Sequence, residues 1–303
     1  MTTTGALGAF LVARRGRLTP QDVGLPEYGE RRRVDGLRRE EVAQLAGVGV
    51  SYYTRLEQGL SRHASAAVLD GIARALQLDD AERRHLHTLA SAPPASPARR
   101  RRPPERVSDE TQQLLAALGD TPAVLLGSRA DVLAWNATGH LLFAGHLPRD
   151  APLDRATRPN MTRLVFLDAH TRELYADWPA KARAVVGSLR LAVGEHSDDP
   201  ALARLVGDLS IESPEFAGLW ADHTVRDCDV AVYAMRHPLV GELTVAQQTL
   251  PVPLAPGQRL VLATAPAGSA SADALALLSQ VATRPGRTTA VSPAAPQRSR
   301  SPR

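Results

Sequence analysis

The stretch Arg38–Gly59, RREEVAQLAGVGVSYYTRLEQG, decides how the first third of the chain is read. Its pattern predicts a helix over Leu37–Ala46, a tight turn, and a second helix over Val50–Gln58. Ala43 stands where two helices must approach closely. Gly47 stands where the turn needs a left-handed backbone angle, which glycine takes without steric cost. Val48, Tyr53 and Leu56 are spaced to face a core, while Gly49, Val50, Ser51, Thr54 and Arg55 face away from it. A second helix presented in this way fits the major groove of B-DNA.

That geometry divides the exposed residues by chemistry. Arg55 carries a forked donor that can pair with guanine O6 and N7. Ser51 and Thr54 can reach base edges or phosphate, and Val50 can pack on a thymine methyl. Arg38 and Arg39, at the start of the first helix of the pair, suit phosphates, and Gln44 suits backbone next to the turn. Each is otherwise a solvated surface residue. Glu57 reads as structural, paired with a nearby arginine.

Working outward, Thr4–Arg17 has helical spacing, with Thr3 or Thr4 as its N-cap. Leu18–Gly36 reads as an extended loop, whose Arg31, Arg32 and Arg33 either clamp phosphate, enter the minor groove, or are solvated. Ser65–Leu78, capped by Ser65, and Asp79–Ala90 complete five short helices, so residues 1–90 form a small all-α domain. Residues 91–106, rich in Pro and Arg, read as a semi-rigid linker.

The charge distribution supports the same division. The net charge of +4 conceals 18 Arg against 12 acids in residues 1–106, and 18 cations against 20 acids in the rest. A basic head beside a mildly acidic remainder points to nucleic acid on one side only. The scarcity of lysine also fits a GC-rich genome. Cys228 is the only cysteine, which excludes an internal disulfide or a multi-cysteine metal site and fits a reducing cytoplasm. No run of about 18 apolar residues suggests a membrane span.

Residues 107–283 change character. Helices are expected over Val107–Leu118, Asn136–Ala144 (capped by Asn136), Ala169–Val193, Pro200–Leu209, Pro214–His223 and Ser271–Val281, with a short apolar segment at Met161–Phe166. Strands are expected over Ala123–Gly127, Val132–Trp135, Val230–Arg236, Gly241–Leu250 and Arg259–Ala265. Helices flanking a small, mostly antiparallel sheet make an α+β domain. Residues 284–303 have no apolar period and read as a disordered tail.

The segments LGAFLVARR, LRREEVAQLAGV, SYYTRLEQG and LDDAERRHLHTLA resemble an Xre-type helix-turn-helix domain of the lambda-repressor class. GDTPAVLLG, DVLAWN, RLVFLD, RELYADW, SPEFAGLW, HPLVGELTV and PGQRLVLATA are similar to the MmyB-like C-terminal domain that follows it in one group of regulators. The resemblance runs in the same order over residues 5–282. It implies a PAS-like ligand-binding domain behind a DNA-binding head, a transcription regulator, and a fatty-acid-like ligand. Gly49 departs from the Ser or Thr usual in that family at the start of the recognition helix, and Leu60–Ser65 replaces a Pro-containing turn.

On that footing Trp135, Phe143, Phe166, Trp178, Phe216, Trp220 and Tyr233 either line an apolar cavity or simply fill the core. Asn136, Asn160, Arg163, His223 and His237 are the candidates to orient a ligand head group, Arg163 being suited to a carboxylate. A single head reads few base pairs, so a homodimer on double-stranded DNA is expected. Neither a catalytic motif nor metal-ligand spacing is found, so no enzyme, no metal and no catalytic residues are expected. The competing reading is a module that binds a protein partner, antitoxin-like or a scaffold, with only nonspecific attraction to DNA.

Overall fold

The computed structural model describes residues 5–25, 36–61, 64–91, 105–196, 199–222, 230–253 and 255–283. The basic triplet Arg31–Arg33, His223 and the tail beyond 283 lie outside them.

The head holds α1 (Ala6–Arg17), α2 (Arg39–Ala46), α3 (Val50–Glu57), α4 (Ala66–Ala75) and α5 (Asp80–Ser91). Helix α1 starts two residues later than its spacing suggests. Its cap is Gly5, extended and without a side-chain bond, in place of a threonine. Glu41 accepts a hydrogen bond from the Arg38 N–H (2.6 Å), which opens α2. Gly47 takes φ 68° and ψ 32°, its N–H bonds to the Gln44 carbonyl, and the Val48 N–H reaches the Ala43 carbonyl at 2.9 Å. Ser65 caps α4 through the Val68 N–H. Phe10, Leu11, Leu37, Tyr53, Leu56, Ile72 and Leu86 are fully buried at the centre.

The second domain opens with α6 (Asp109–Ala117), capped by Ser108, then β1 (Ala123–Leu126) and β2 (Val132–Trp135). Helices α7 (Ala137–Ala144), α8 (Met161–Leu167), α9 (Ala169–Leu174), α10 (Trp178–Glu195), α11 (Pro200–Glu212) and α12 (Pro214–Ala221) follow. Strands β3 (Val230–His237), β4 (Gly241–Pro251) and β5 (Arg259–Thr264) and helix α13 (Ala270–Thr283) close it. The five strands are antiparallel in the order β2-β1-β5-β4-β3, the arrangement of a PAS-like α+β domain. Strand alternation turns Tyr233, Met235 and His237 of β3 inward and Val230 and Val232 outward. The inner face packs on α7, α8, α10 and α13 in one large core. On the outer face, Leu115 of α6 covers Leu125, Leu133 and Leu260.

One expected helix is two. Between α9 and α10 the chain straightens at residues 175–177, where Tyr175 bridges to Met235 and the Ala176 N–H bonds to the Ala234 carbonyl (2.9 Å). Pro179 explains the break: its ring and missing N–H are tolerated only in a helix's first turn. Asp177 supplies the new cap, accepting from the Ala180 N–H at 2.9 Å. The two domains also touch, which the linker gave no reason to expect. Helix α5 packs on α10, and Leu191 of α10 joins the head's core.

Candidate functional site

The head presents the second helix of the pair outward. Gly49, Ser51 and Arg55 are exposed, as is Gln44 on α2, and Val50 is 44% exposed. Thr54 and Arg38 are half-buried on the same rim. Tyr53, Leu56 and Glu57 face the core, so the outward set is held by what lies beneath it. Glu57, 1% exposed, carries Arg15 Nε on one carboxylate oxygen (2.6 Å) and Arg39 Nε on the other (2.5 Å). This ties α1, α2 and α3 together. Arg39 is therefore engaged in structure while its side chain stays partly at the surface.

The second domain holds a mostly apolar cavity of about 120 Å³, partly open to solvent, between α10 and the inner face of the sheet. Val124, Leu126, Phe143, Met161 and Leu189 supply much of its wall. One part of the wall is polar. Lys181, buried on α10, donates to Gln247 Oε1 at 2.8 Å, and its ammonium lies 4.8 Å and 4.5 Å from the ring centres of Tyr175 and Tyr233. Gln247 in turn donates to the Tyr175 hydroxyl at 3.4 Å. Burial pushes the Tyr175 phenol up to about 12, so it stays neutral. Thr162, 1% exposed, lines the same cavity with its hydroxyl unpartnered among the described residues.

Of the ligand residues expected from sequence, the structure brings Phe143 and Tyr233 to this cavity. Asn136 is spent on architecture. Its carbonyl accepts from Ala123 and Gly139, and its amide donates to Thr121 and Gly119. Asn160 caps α8 and bonds Asp131, and Arg163 is ion-paired to Asp208 at 2.6 Å; both border a separate polar cleft. Trp135 donates to the Arg149 carbonyl and Trp178 to the Val165 carbonyl. Phe166 meets Phe216 edge to face, Trp220 stacks on the same ring, and His237 bonds the Leu141 carbonyl. The residues that sequence reasoning missed are Lys181, Gln247, Tyr175 and Thr162. A signal existed for one: Lys181 is the only lysine among 36 basic residues.

A helix-turn-helix face on one domain and a mostly apolar pocket in the other are thus joined in one chain. Family models agree with that pairing. Residues 107–278 match the MmyB-like transcription regulator ligand binding domain, and residues 6–86 match a helix-turn-helix domain. The chain belongs to the MmyB-like transcription regulators. A comparison with curated proteins finds no match. As a member of this family the MmyB-like protein is a DNA-binding transcription regulator with a small-molecule domain, and neither matched domain is that of an enzyme family. No described helix of this MmyB-like regulator is long and apolar enough to cross a membrane. Among its described residues no cluster of three or more His, Cys, Asp or Glu is placed to hold a metal ion.

Proposed function

We propose that the protein is a sequence-specific regulator whose second domain senses an amphipathic carboxylic acid of the fatty-acid type. The observation that carries this reading is an apolar cavity whose polar wall holds the only lysine of the chain. An ammonium offers three donors and a full charge. An acid seated there would meet Lys181, with Thr162 and Gln247 as further hydrogen-bond partners and Leu126, Phe143 and Leu189 around its chain. A cavity needs roughly 10–15 Å³ to admit one water, so this one has room for a group well beyond a single water.

Calorimetry with decanoate, decanol and decylamine tests the reading. Decanoate is expected to bind, decylamine to fail, and Lys181→Met to weaken decanoate about thirtyfold while leaving decanol unchanged. Equal binding of all three by the native protein would remove the carboxylate from the proposal.

On the DNA side, Arg55 is the proposed base reader, with Val50, Ser51 and Thr54 beside it and Arg38 on phosphate. Arg55→Ala is expected to cost about 1–3 kcal/mol and to relax preference at one base position of an operator selected from random DNA. A uniform loss on every sequence would instead make Arg55 a phosphate contact. Two heads of a homodimer are proposed to read half-sites about 34 Å apart, or a multiple of that. Footprint spacing together with light-scattering mass tests this, and a monomer bound to a single half-site would overturn it.

A further inference from the structure

Helix α10 has two working faces. Lys181, Ala184, Val185, Ser188, Ala192 and Glu195 line the cavity. Their spacing of three and four residues places them on one side. At 3.6 residues per turn, Arg190 lies about half a turn from that side, Gly194 somewhat less and Leu191 about a quarter turn, and these three meet the head. Gly194 lets the His85 ring of α5 lie directly on the helix backbone. A Cβ there would stand 2.7 Å from His85 Cε1 and 3.4 Å from Leu89 Cδ2. The α10 backbone at Gly194 thus bears on the His85 ring of α5 with no side chain of its own between them.

The contact also brings opposing contributions together. Leu191, half-buried, packs against the apolar core of the head. Against that, Arg190 is buried at the boundary, its guanidinium 4.3 Å from the Trp220 ring centre and bonded to the Trp220 carbonyl at 2.6 Å. It is repelled by Arg14 and Arg17 of α1 and attracted by Asp222. Arg14 is neutralised in part by Glu82 at 2.6 Å, and Arg17 reaches across to the Asp222 carbonyl. Packed interfaces of this kind switch between discrete arrangements rather than deforming smoothly.

We propose that α10 couples the cavity to the DNA-binding head: an acid filling the cavity moves α10 off the sheet, loosens α5 at Gly194, and changes how the head presents α3. This rests on the sensing reading above. Coupling can be no larger than the ligand's preference for one arrangement over the other.

The experiment measures operator affinity and amide hydrogen exchange of α5 in the full chain, with and without decanoate. The native protein is compared with Gly194→Leu and His85→Ala, their folding confirmed by thermal unfolding. Decanoate is expected to change native operator affinity at least fivefold, the lower end of ordinary coupling, and to speed exchange in α5. Both variants are expected to bind decanoate within twofold of native and to respond less than twofold. Variants that keep the full response would overturn the coupling, as would decanoate binding with no change in α5. Should decanoate not bind at all, the sensing reading fails on its own account. Ala184→Phe, which fills the cavity without a ligand, then decides the coupling: unchanged exchange in α5 and unchanged operator affinity would overturn it.

Discussion

Glu57 holds three helices at one carboxylate, and it does so from a fully buried position. Removing its charge leaves Arg15, itself mostly buried, facing a neutral amide. Breaking a buried pair from one side is costly, so Glu57→Gln is expected to lose about 3 kcal/mol of stability in urea unfolding. His85 sets a second expectation. Burial first, then Arg190 and Arg14, pulls its imidazole from the ordinary 6.5 down to about 4. The unfolded chain therefore binds the proton more readily than the folded one, and stability falls as pH drops from about 6.5 to about 4, by about 3 kcal/mol at the lower end. Glu82 on the same helix works in the opposite sense, since burial raises its carboxyl. The comparison that isolates His85 is urea unfolding of the native chain and His85→Gln at pH 7 and pH 4.5; an unchanged pH slope in the variant would reject the assignment.

Among the elements, α7 shows how closely the sensor is packed. At Gly139 an added Cβ would stand 2.3 Å from the Ala123 carbonyl oxygen and 2.7 Å from its nitrogen. Backbone of β1 cannot yield as a flexible side chain does, so Gly139→Ala is expected to destabilise the second domain by about 3 kcal/mol, at the upper end for overpacking. Thermal unfolding followed at Trp135, Trp178 and Trp220, all in that domain, checks this; an unshifted transition would show that α7 slides freely. Element identity was mostly legible because period and caps are local: Ser65 and Asn136 cap where their positions suggested. The break at Tyr175–Asp177 was carried by Pro179 and Asp177, but an apolar period running across them masked it. The ligand wall was less legible. Aromatic residues mark burial, and burial serves a core as well as a cavity, so Trp135, Phe166, Trp178 and Trp220 were indistinguishable from Phe143 and Tyr233 until their partners were seen.

For the whole molecule, the basic head predicts strongly salt-dependent binding. The logarithm of the operator affinity is expected to fall linearly with the logarithm of salt, with a slope near −0.9 for each phosphate neutralised. Arg38→Ala is expected to flatten that slope by about one unit per head while leaving base preference intact, and Arg55→Ala to do the reverse. Titrations at 50 and 200 mM salt separate the two; identical slopes in all three proteins would deny both roles. The sequence by itself determined the helix-turn-helix head, the strand and helix content behind it and the family, because turn chemistry, caps and periodicity act between near neighbours. Only the tertiary structure decided which side chains surround the cavity, that Lys181 is among them, and that α10 bears on α5. Those contacts join residues far apart in the chain, and the free energy that selects them comes from packing of whole surfaces, for which no local stretch of sequence carries the pattern.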